Sequence, residues 1–487
     1  MTTAPSSTGI VDDEQAARPA SGRLGTRAKL VLFVLCASQF IISLDFSILN
    51  VALPVLGRDL DMSQAGLQWA VTAFALPSGG FLLLFGRVAD LLGRRTFFLA
   101  GIAVFTAASV LATLAGTSGL FLAARALQGI GAAAVIPTGM SLLTTIFPEG
   151  PQRNRALAVN GTVLSLGFTI GMLLGGAMTS GLGWRSTMAL LAVAGVVLVI
   201  SAPFLLPESR CTQRPQIDVP GAVTATGGLL AIIYAMSTAA DQGFGRADVV
   251  VAMAVGLLLL AAFVVAESRA RQPLVSLRLL RRPTVAFGNL AGVTTFSMMS
   301  SVIFLLTLYF QDVLGLSSLR TGLVFGVQGV VLAATGMLSS RVVARIGARA
   351  TLVAGLAVQG AFTSVLLLTG ARQGLWPAVS ALCVASVGHM SVVVSYGINA
   401  TSGLSDDEQG LAGGLITSSQ QLGITIGIPV LSAVLAGRVN ALRDAGRDTE
   451  SAMLGGLHLG LGLDAALVLA AALLVGYGLF GVRRGQV

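Results

Sequence analysis

Charge is the scarcest property of this chain. Of its 487 residues only 10% are charged, against roughly 25% in soluble globular proteins. Lysine occurs once, as Lys29, so nearly all positive charge is arginine. The three cysteines are Cys36, Cys211 and Cys383. Two fall in apolar runs and one in a basic loop, which leaves no disulfide framework to read. The two histidines, His389 and His458, form no metal-ligand motif. A GxxxxGK[ST] phosphate loop is absent, so this chain encodes no ATP motor. Nothing suggests a Ser/His/Asp assembly. The expectation is a protein that is not an enzyme and takes no cofactor or metal.

Apolar sequence is what remains. The hydrophobic share is 54% and the mean hydropathy +0.86. Those values describe an all-α polytopic membrane protein. Net charge is +9. In a soluble chain that excess would raise nucleic-acid binding. Here the arginines sit in short loops between apolar runs, so membrane topology accounts for them and no nucleic-acid partner is expected.

A crossing helix needs about 20 mostly apolar residues, and about fourteen such runs occur. They lie near 31–53, 67–86, 97–115, 120–143, 156–180 and 187–206; then 219–238 and 248–266; then 285–309, 321–340, 350–369, 376–400, 410–435 and 459–481. With a cytoplasmic N-terminus the inner loops collect roughly 21 Lys/Arg against about 8 outside. An even number of crossings returns the C-terminus to the same side. Residues 1–29 read as a polar, disordered cytoplasmic tail without a signal-peptide core.

The chain also echoes itself. "GRVADLLGRR" (86–95) is similar to "SRVVARIGAR" (340–349), and "LGFTIGMLL" (166–174) to "LGITIGIPV" (422–430). Both pairs carry the same shift of eight spans. Two six-span halves with two spans inserted between them produce that shift. Parallel halves around a central cavity are a standard transporter plan. The expected division is a tail at 1–29, a six-helix bundle at 30–209, a linker with two extra helices at 210–282, and a second six-helix bundle with a short cytoplasmic tail at 283–487.

Several stretches bear a family likeness by their order and spacing. They are "SLDFSILNVALP" (43–54), "GRVADLLGRR", "RALQG" (125–129) and "GFTIGMLLGG" (167–176) followed by "LGWR" (182–185). "LLPES" (205–209), "DVPGA" (218–222) and "LTLYFQDVLGLSSLRTGL" (306–323) support them. Together they resemble the major facilitator superfamily, in particular its fourteen-span drug:proton antiporter branch. The resemblance runs from about residue 30 to 481. It implies the major facilitator fold, with two six-helix bundles plus two additional central helices. Two departures stand out. Phe168 and Met172 occupy places where the family usually has proline, and Ala344 replaces, in the second loop copy, the acid that Asp90 supplies in the first.

Asp45 lies mid-span in "FIISLDFSILNVALP". A lone carboxylate in hydrocarbon is costly, so such a group is neutral when occluded and ionised when wet. That behaviour suits a proton carrier; a structural acid paired inside the bundle is the alternative. Arg125 is the basic residue deep within a span, and it keeps its charge under ordinary conditions. The resemblance links both positions to proton coupling, which makes them candidate partners. Gln128 shares Arg125's helix face at i+3. Asp464 reads as a second proton or cation site, or equally as an interfacial acid, in the outer third of the last span. Span twelve carries Ser386, His389 and Tyr396 at helical spacing, and span nine carries Phe296, Met298, Met299 and Phe304. Gln128, Met298, Met299, His389 and Tyr396 are candidate cavity residues, with a hydrogen-bonded packing role as the alternative for His389. Gly167, Gly171, Gly175 and Gly176 suit close helix packing. In the loop at 86–95, Gly86, Asp90, Gly93 and Arg94 form a candidate gate, with Asp90 latching to the positive N-terminal end of span thirteen.

The combined expectation is a monomeric, proton-coupled transporter of the inner (plasma) membrane that exports small amphiphilic drugs or antibiotics. Its partners would be protons, that compound and membrane lipid. A proton-coupled importer of a metabolite, or a non-transporting membrane sensor, stand as alternatives.

Overall fold

No water reaches the middle of a bilayer to bond a bare peptide group, so a chain this apolar must satisfy its backbone within each segment. The computed structural model accordingly contains only helices among its described residues. It describes residues 25–481 except 63, 148–150, 208–217, 244, 271–276, 371–374, 403 and 405. The helices are α1 (Thr26–Asp59), α2 (Gln64–Gly80), α3 (Leu82–Leu92), α4 (Arg94–Thr113), α5 (Ser118–Ile146), α6 (Pro151–Leu182), α7 (Trp184–Leu205), α8 (Val219–Gln242) and α9 (Ala247–Arg269). After them come the single turn α10 (Leu277–Leu280), α11 (Pro283–Leu308), α12 (Ser318–Ile346), α13 (Ala348–Val365), α14 (Leu375–Thr401), α15 (Asp406–Asp444) and α16 (Thr449–Gly476).

Among the described residues, 12 helices are long and apolar enough to cross a membrane. The expected count of fourteen is not reached by that measure, and the second and seventh expected spans make the difference. The second expected span is broken at Phe81 into α2 and α3, of 17 and 11 residues. The seventh is α8, a helix of 24 residues whose apolar stretch among the described residues is Pro220–Met236. A third difference concerns the last span. Asp448 caps α16 by accepting from the Ser451 amide, so the helix starts ten residues before the expected 459. Asp464 is therefore the sixteenth of 28 residues and sits at mid-helix, not in the outer third.

The internal repeat is present in three dimensions. Gly93 closes α3 with φ 98°, and Gly347 closes α12 with φ 84°. The two are 254 positions apart, and each amide bonds the carbonyl four residues back, in Ala89 and Val343. Glycine reaches this left-handed region without a Cβ penalty. The second repeat pair matches in packing. Gly171 lies against Ser47 and Leu44, bringing α6 onto α1, and Gly427 lies against Ser297, bringing α15 onto α11. No proline interrupts α6, and with Phe168 and Met172 in place it runs as one helix of 32 residues.

α1, α2, α4, α5, α6 and α7 pack on one another, as do α11, α12, α13, α14, α15 and α16. Helix α8 rests on both α2 and α15, and Thr226 donates to the Gly80 carbonyl at 2.7 Å. Contacts between the first group and the second include α6 on α12, where Gly176 meets Ser318 and Gly322 meets Met172. Leu319 N donates to Ser180 Oγ at 2.9 Å, and Gln311 Nε2 to the Val51 carbonyl at 2.9 Å. All these residues lie towards the side of the bundle away from the loop at 86–95, called here the far side.

Candidate functional site

Three helices bring a buried charge pair together. Asp45 comes from the middle of α1 and Arg125 from the far-side half of α5; they are 0% and 1% exposed. Arg125 Nη1 lies 2.7 Å from Asp45 Oδ1 and 2.9 Å from Oδ2. The same nitrogen reaches Gln128 Oε1 at 2.9 Å, and Nε donates to the Ala70 carbonyl of α2 at 3.2 Å. The guanidinium carbon stands 4.5 Å above the Phe74 ring. Gln128 then passes the chain on, its Nε2 donating to Ser109 Oγ of α4 at 2.8 Å. A buried ion pair is tolerated only when hydrogen bonds satisfy its remaining atoms. Here a fork-shaped donor meets a carboxylate, an amide, a peptide carbonyl and an aromatic face, which lysine's point charge could not do.

Such a cluster can exchange a proton for an ion pair. Protonating Asp45 removes the charge that holds Arg125, and deprotonation restores it. The sequence names Asp45, Arg125 and Gln128, and the structure places all three in contact. Gln128 serves the charge pair and is wholly buried. Ser109, Phe74 and the Ala70 carbonyl carry no sequence signal, because small, aromatic and apolar residues are ordinary within spans.

The other candidate cavity residues gather in the second group of helices. His389 Nδ1 shares a hydrogen bond of 2.9 Å with Thr295 Oγ1, which donates to Gln359 Oε1 at 2.6 Å. Phe296 meets the His389 and Tyr396 rings edge-on at 5.3 and 6.5 Å. Tyr396 Oη donates to the Ile416 carbonyl at 3.3 Å. Met299 Sδ accepts weakly from Gln328 Nε2, which also donates to Ser386 Oγ at 3.0 Å. Met298 packs with Leu352, Leu356 and Val392 in the apolar core. A cavity of about 650 Å³ opens elsewhere, at the far-side mouth, lined by Pro54, Gly57, Arg58, Asp61, Met62, Leu67 and Asp312. None of the sequence-predicted cavity residues lines it.

On α2, Gln68 and Thr72 are buried one turn apart, and their polar side-chain atoms have no hydrogen-bond partner among the described residues. The same helix presents the Ala75 carbonyl and Gly79 to Thr425 of α15. Sequence reasoning missed this pair, since a glutamine near a helix start reads as an interfacial residue.

At the loop, Gly86 lies against Pro137 with room to spare, Gly93 makes the turn, and Arg94 Nη1 donates to Thr145 Oγ1 at 2.7 Å. The Asp90 side chain and those of 406–411 lie outside the described residues, and so does the latch expected between them. Gly167, Gly171 and Gly175 all meet α1, while Gly176 meets α12. "LGWR" has a pinning role. Arg185 Nη1 and Trp184 Nε1 both bond Asp59 Oδ2 at the end of α1, and Arg185 Nη2 bonds the Ala115 carbonyl after α4.

Comparison with known proteins places this architecture. The cephamycin export protein of Amycolatopsis lactamdurans is 38% identical over 415 residues, covering 84% of this chain and 85% of its own. The puromycin resistance protein of Streptomyces alboniger is 34% identical over 458 residues, covering 91% and 88%. The solved structure of the POT family transporter PepTSo superposes with a TM-score of 0.71 at 13% identity, covering 94% of this chain and 99% of that one, and supports the fold alone. The pattern of the Major Facilitator Superfamily matches residues 35–428. The chain belongs to that superfamily, as a multi-pass membrane transporter and not an enzyme.

Proposed function

We propose that this protein exports antibiotics or similar small amphiphilic compounds in exchange for protons, by alternating access across the inner membrane with both termini cytoplasmic. The observation that carries the reading is the buried Asp45–Arg125–Gln128 cluster. The export direction draws on relatives named for cephamycin export and puromycin resistance. The drug:proton antiporter branch, with fourteen crossings, belongs to the same proposal: α2 with α3 would form one crossing and α8 another. So does the division into bundles at 30–209 and 283–487 joined by 210–282.

A proton entering from outside converts the Asp45 carboxylate to the acid and weakens its hold on Arg125. The rearranged cluster favours the other conformation, in which the proton leaves inward. A ligand shifts such an equilibrium only by its difference in affinity between the two states. Gln68 and Thr72 would offer uncharged donors and acceptors to the compound. The test is a drug-susceptibility panel in an efflux-deficient host, comparing wild type, Asp45→Asn and empty vector. Wild type should raise resistance to at least one antibiotic class, and Asp45→Asn should lose it. Full resistance retained by Asp45→Asn would sink the coupling role. Gradient-driven accumulation in cells would identify an importer instead.

A further inference from the structure

A second acid lies inside the helical core and has no part in the Asp45 cluster. Asp464 is wholly buried, and neither carboxylate oxygen has a hydrogen-bond partner among the described residues. Its neighbours along α16 fix its depth. Gly460, one turn towards the far side, meets Leu305 of α11, and Leu469, towards the opposite side, meets Gly360 of α13. α16 packs on α11, α13, α15, the short π-helical turn Tyr309–Val313, the turn Leu366–Leu368 and its own continuation Tyr477–Gly481, which begins with a tyrosine. On these elements the titratable and charged groups are few. α11 has none. α13 has Arg349 in its first turn. α15 has Asp406, Asp407 and Glu408 at one end, and Arg438, Arg443 and Asp444 at the other. The π turn holds Tyr309 and Asp312, and α16 itself holds Glu450 and His458, the latter bonded to the Thr369 carbonyl.

An ionised carboxylate in that position would be an unpaired buried charge, which costs several kcal/mol even after relaxation. A neutral acid leaves only one O–H without an acceptor, a far smaller penalty. Asp45 stands in the opposite condition, paired with Arg125. One conformation therefore holds one buried acid against a fixed positive charge and the other against none. We propose that Asp464 is a second proton-binding site, occupied in this conformation and emptied when α16 shifts on α11 and α13 to admit water. The O–H bond then breaks, the proton passes to the entering water, and the carboxylate remains hydrated. What that proton does in transport rests on the antiport reading; its binding here does not.

The experiment is infrared spectroscopy of the full chain in lipid nanodiscs at neutral pH. Wild type and Asp45→Asn should show the carbonyl stretch of a protonated carboxylic acid. Asp464→Asn, which is nearly isosteric, and Asp464→Leu should both lose it. The band should shift in deuterated buffer as the conformations interconvert. It should exchange more slowly once Ser180→Cys and Leu319→Cys are cross-linked across the far-side seam. Absence of a neutral band assignable to Asp464 would overturn the proposal. So would a band that never exchanges, which marks a permanent structural acid, or one abolished by sodium chloride at fixed pH, which marks a metal-cation site. An exchanging band in a protein that exports no drug would remove the export reading and leave the site. Drug export without the band would remove the site alone.

Discussion

At the scale of single residues, the membrane interior decides which polar groups can exist. Arg125 cannot shed its proton, so its cost is met by Asp45, Gln128, the Ala70 carbonyl and the Phe74 face together. Removing one member of such a pair strands the other. Asp45→Asn should lower stability by about 3–5 kcal/mol, because Arg125 keeps its charge and stays buried without its counter-charge. Asp45→Asn with Arg125→Leu should recover most of that loss. The check is thermal unfolding in detergent of the two single variants and the double. Strictly additive losses would show that the pair is not energetically coupled. The pairing was legible in the sequence because charges are rare in spans and each acid or base needs an answer. The network of Thr295, Gln359 and His389 was not, since hydroxyl and amide side chains can close on a helix's own carbonyls or on a neighbour, and spacing alone does not choose. The orphaned atoms of Gln68 and Thr72 follow from how α2 is packed, which no single helix encodes.

At the scale of elements, helices in lipid associate through close packing and not through a hydrophobic drive, since lipid tails are as apolar as leucine. The two repeat copies meet that requirement in the same way, with a glycine of α6 or α15 seated on α1 or α11. A methyl group at Gly427 would run into the Ser297 carbonyl, and one at Gly171 into Ser47 Oγ and the Leu44 carbonyl. Gly171→Ala and Gly427→Ala should each destabilise the protein by about 1–3 kcal/mol, the usual cost of overpacking. Gly181→Ala, with open space around its Cα, is the control and should leave Tm unchanged. Equal Tm values for all three would mean that the backbones part without cost. Element boundaries were less legible than this packing. The break at Phe81 comes directly after "PSGG" (77–80), a signal that a count of apolar length passes over, and α16 begins within a polar stretch because Asp448 caps it. A count based on apolar length starts that helix too late, and Asp464 is then misplaced in depth.

At the scale of the whole molecule, the repeat makes two similar groups, and the seam between them is where function must show. On the far side that seam is tied by Leu319 N to Ser180 Oγ, by Gln311 Nε2 to the Val51 carbonyl, and by the meeting of Gly176 and Gly322 with the facing helix. Alternating access requires these ties to part in every cycle, while the packing inside each group persists. Ser180 and Leu319 are both exposed, and the amide of one lies 2.9 Å from the hydroxyl of the other. Their backbones are close enough for a disulfide, whose Cα atoms stand about 4.4–6.8 Å apart. Ser180→Cys with Leu319→Cys, in a chain whose Cys36, Cys211 and Cys383 are replaced by serine or alanine, should cross-link under mild oxidation. Transport should fall to the empty-vector level and return on reduction, whereas either single variant should transport in both conditions. Full transport by the cross-linked protein would show that the far-side seam does not open. The gate would then have to lie wholly within one group of helices, and the two-group account of the cycle would fail.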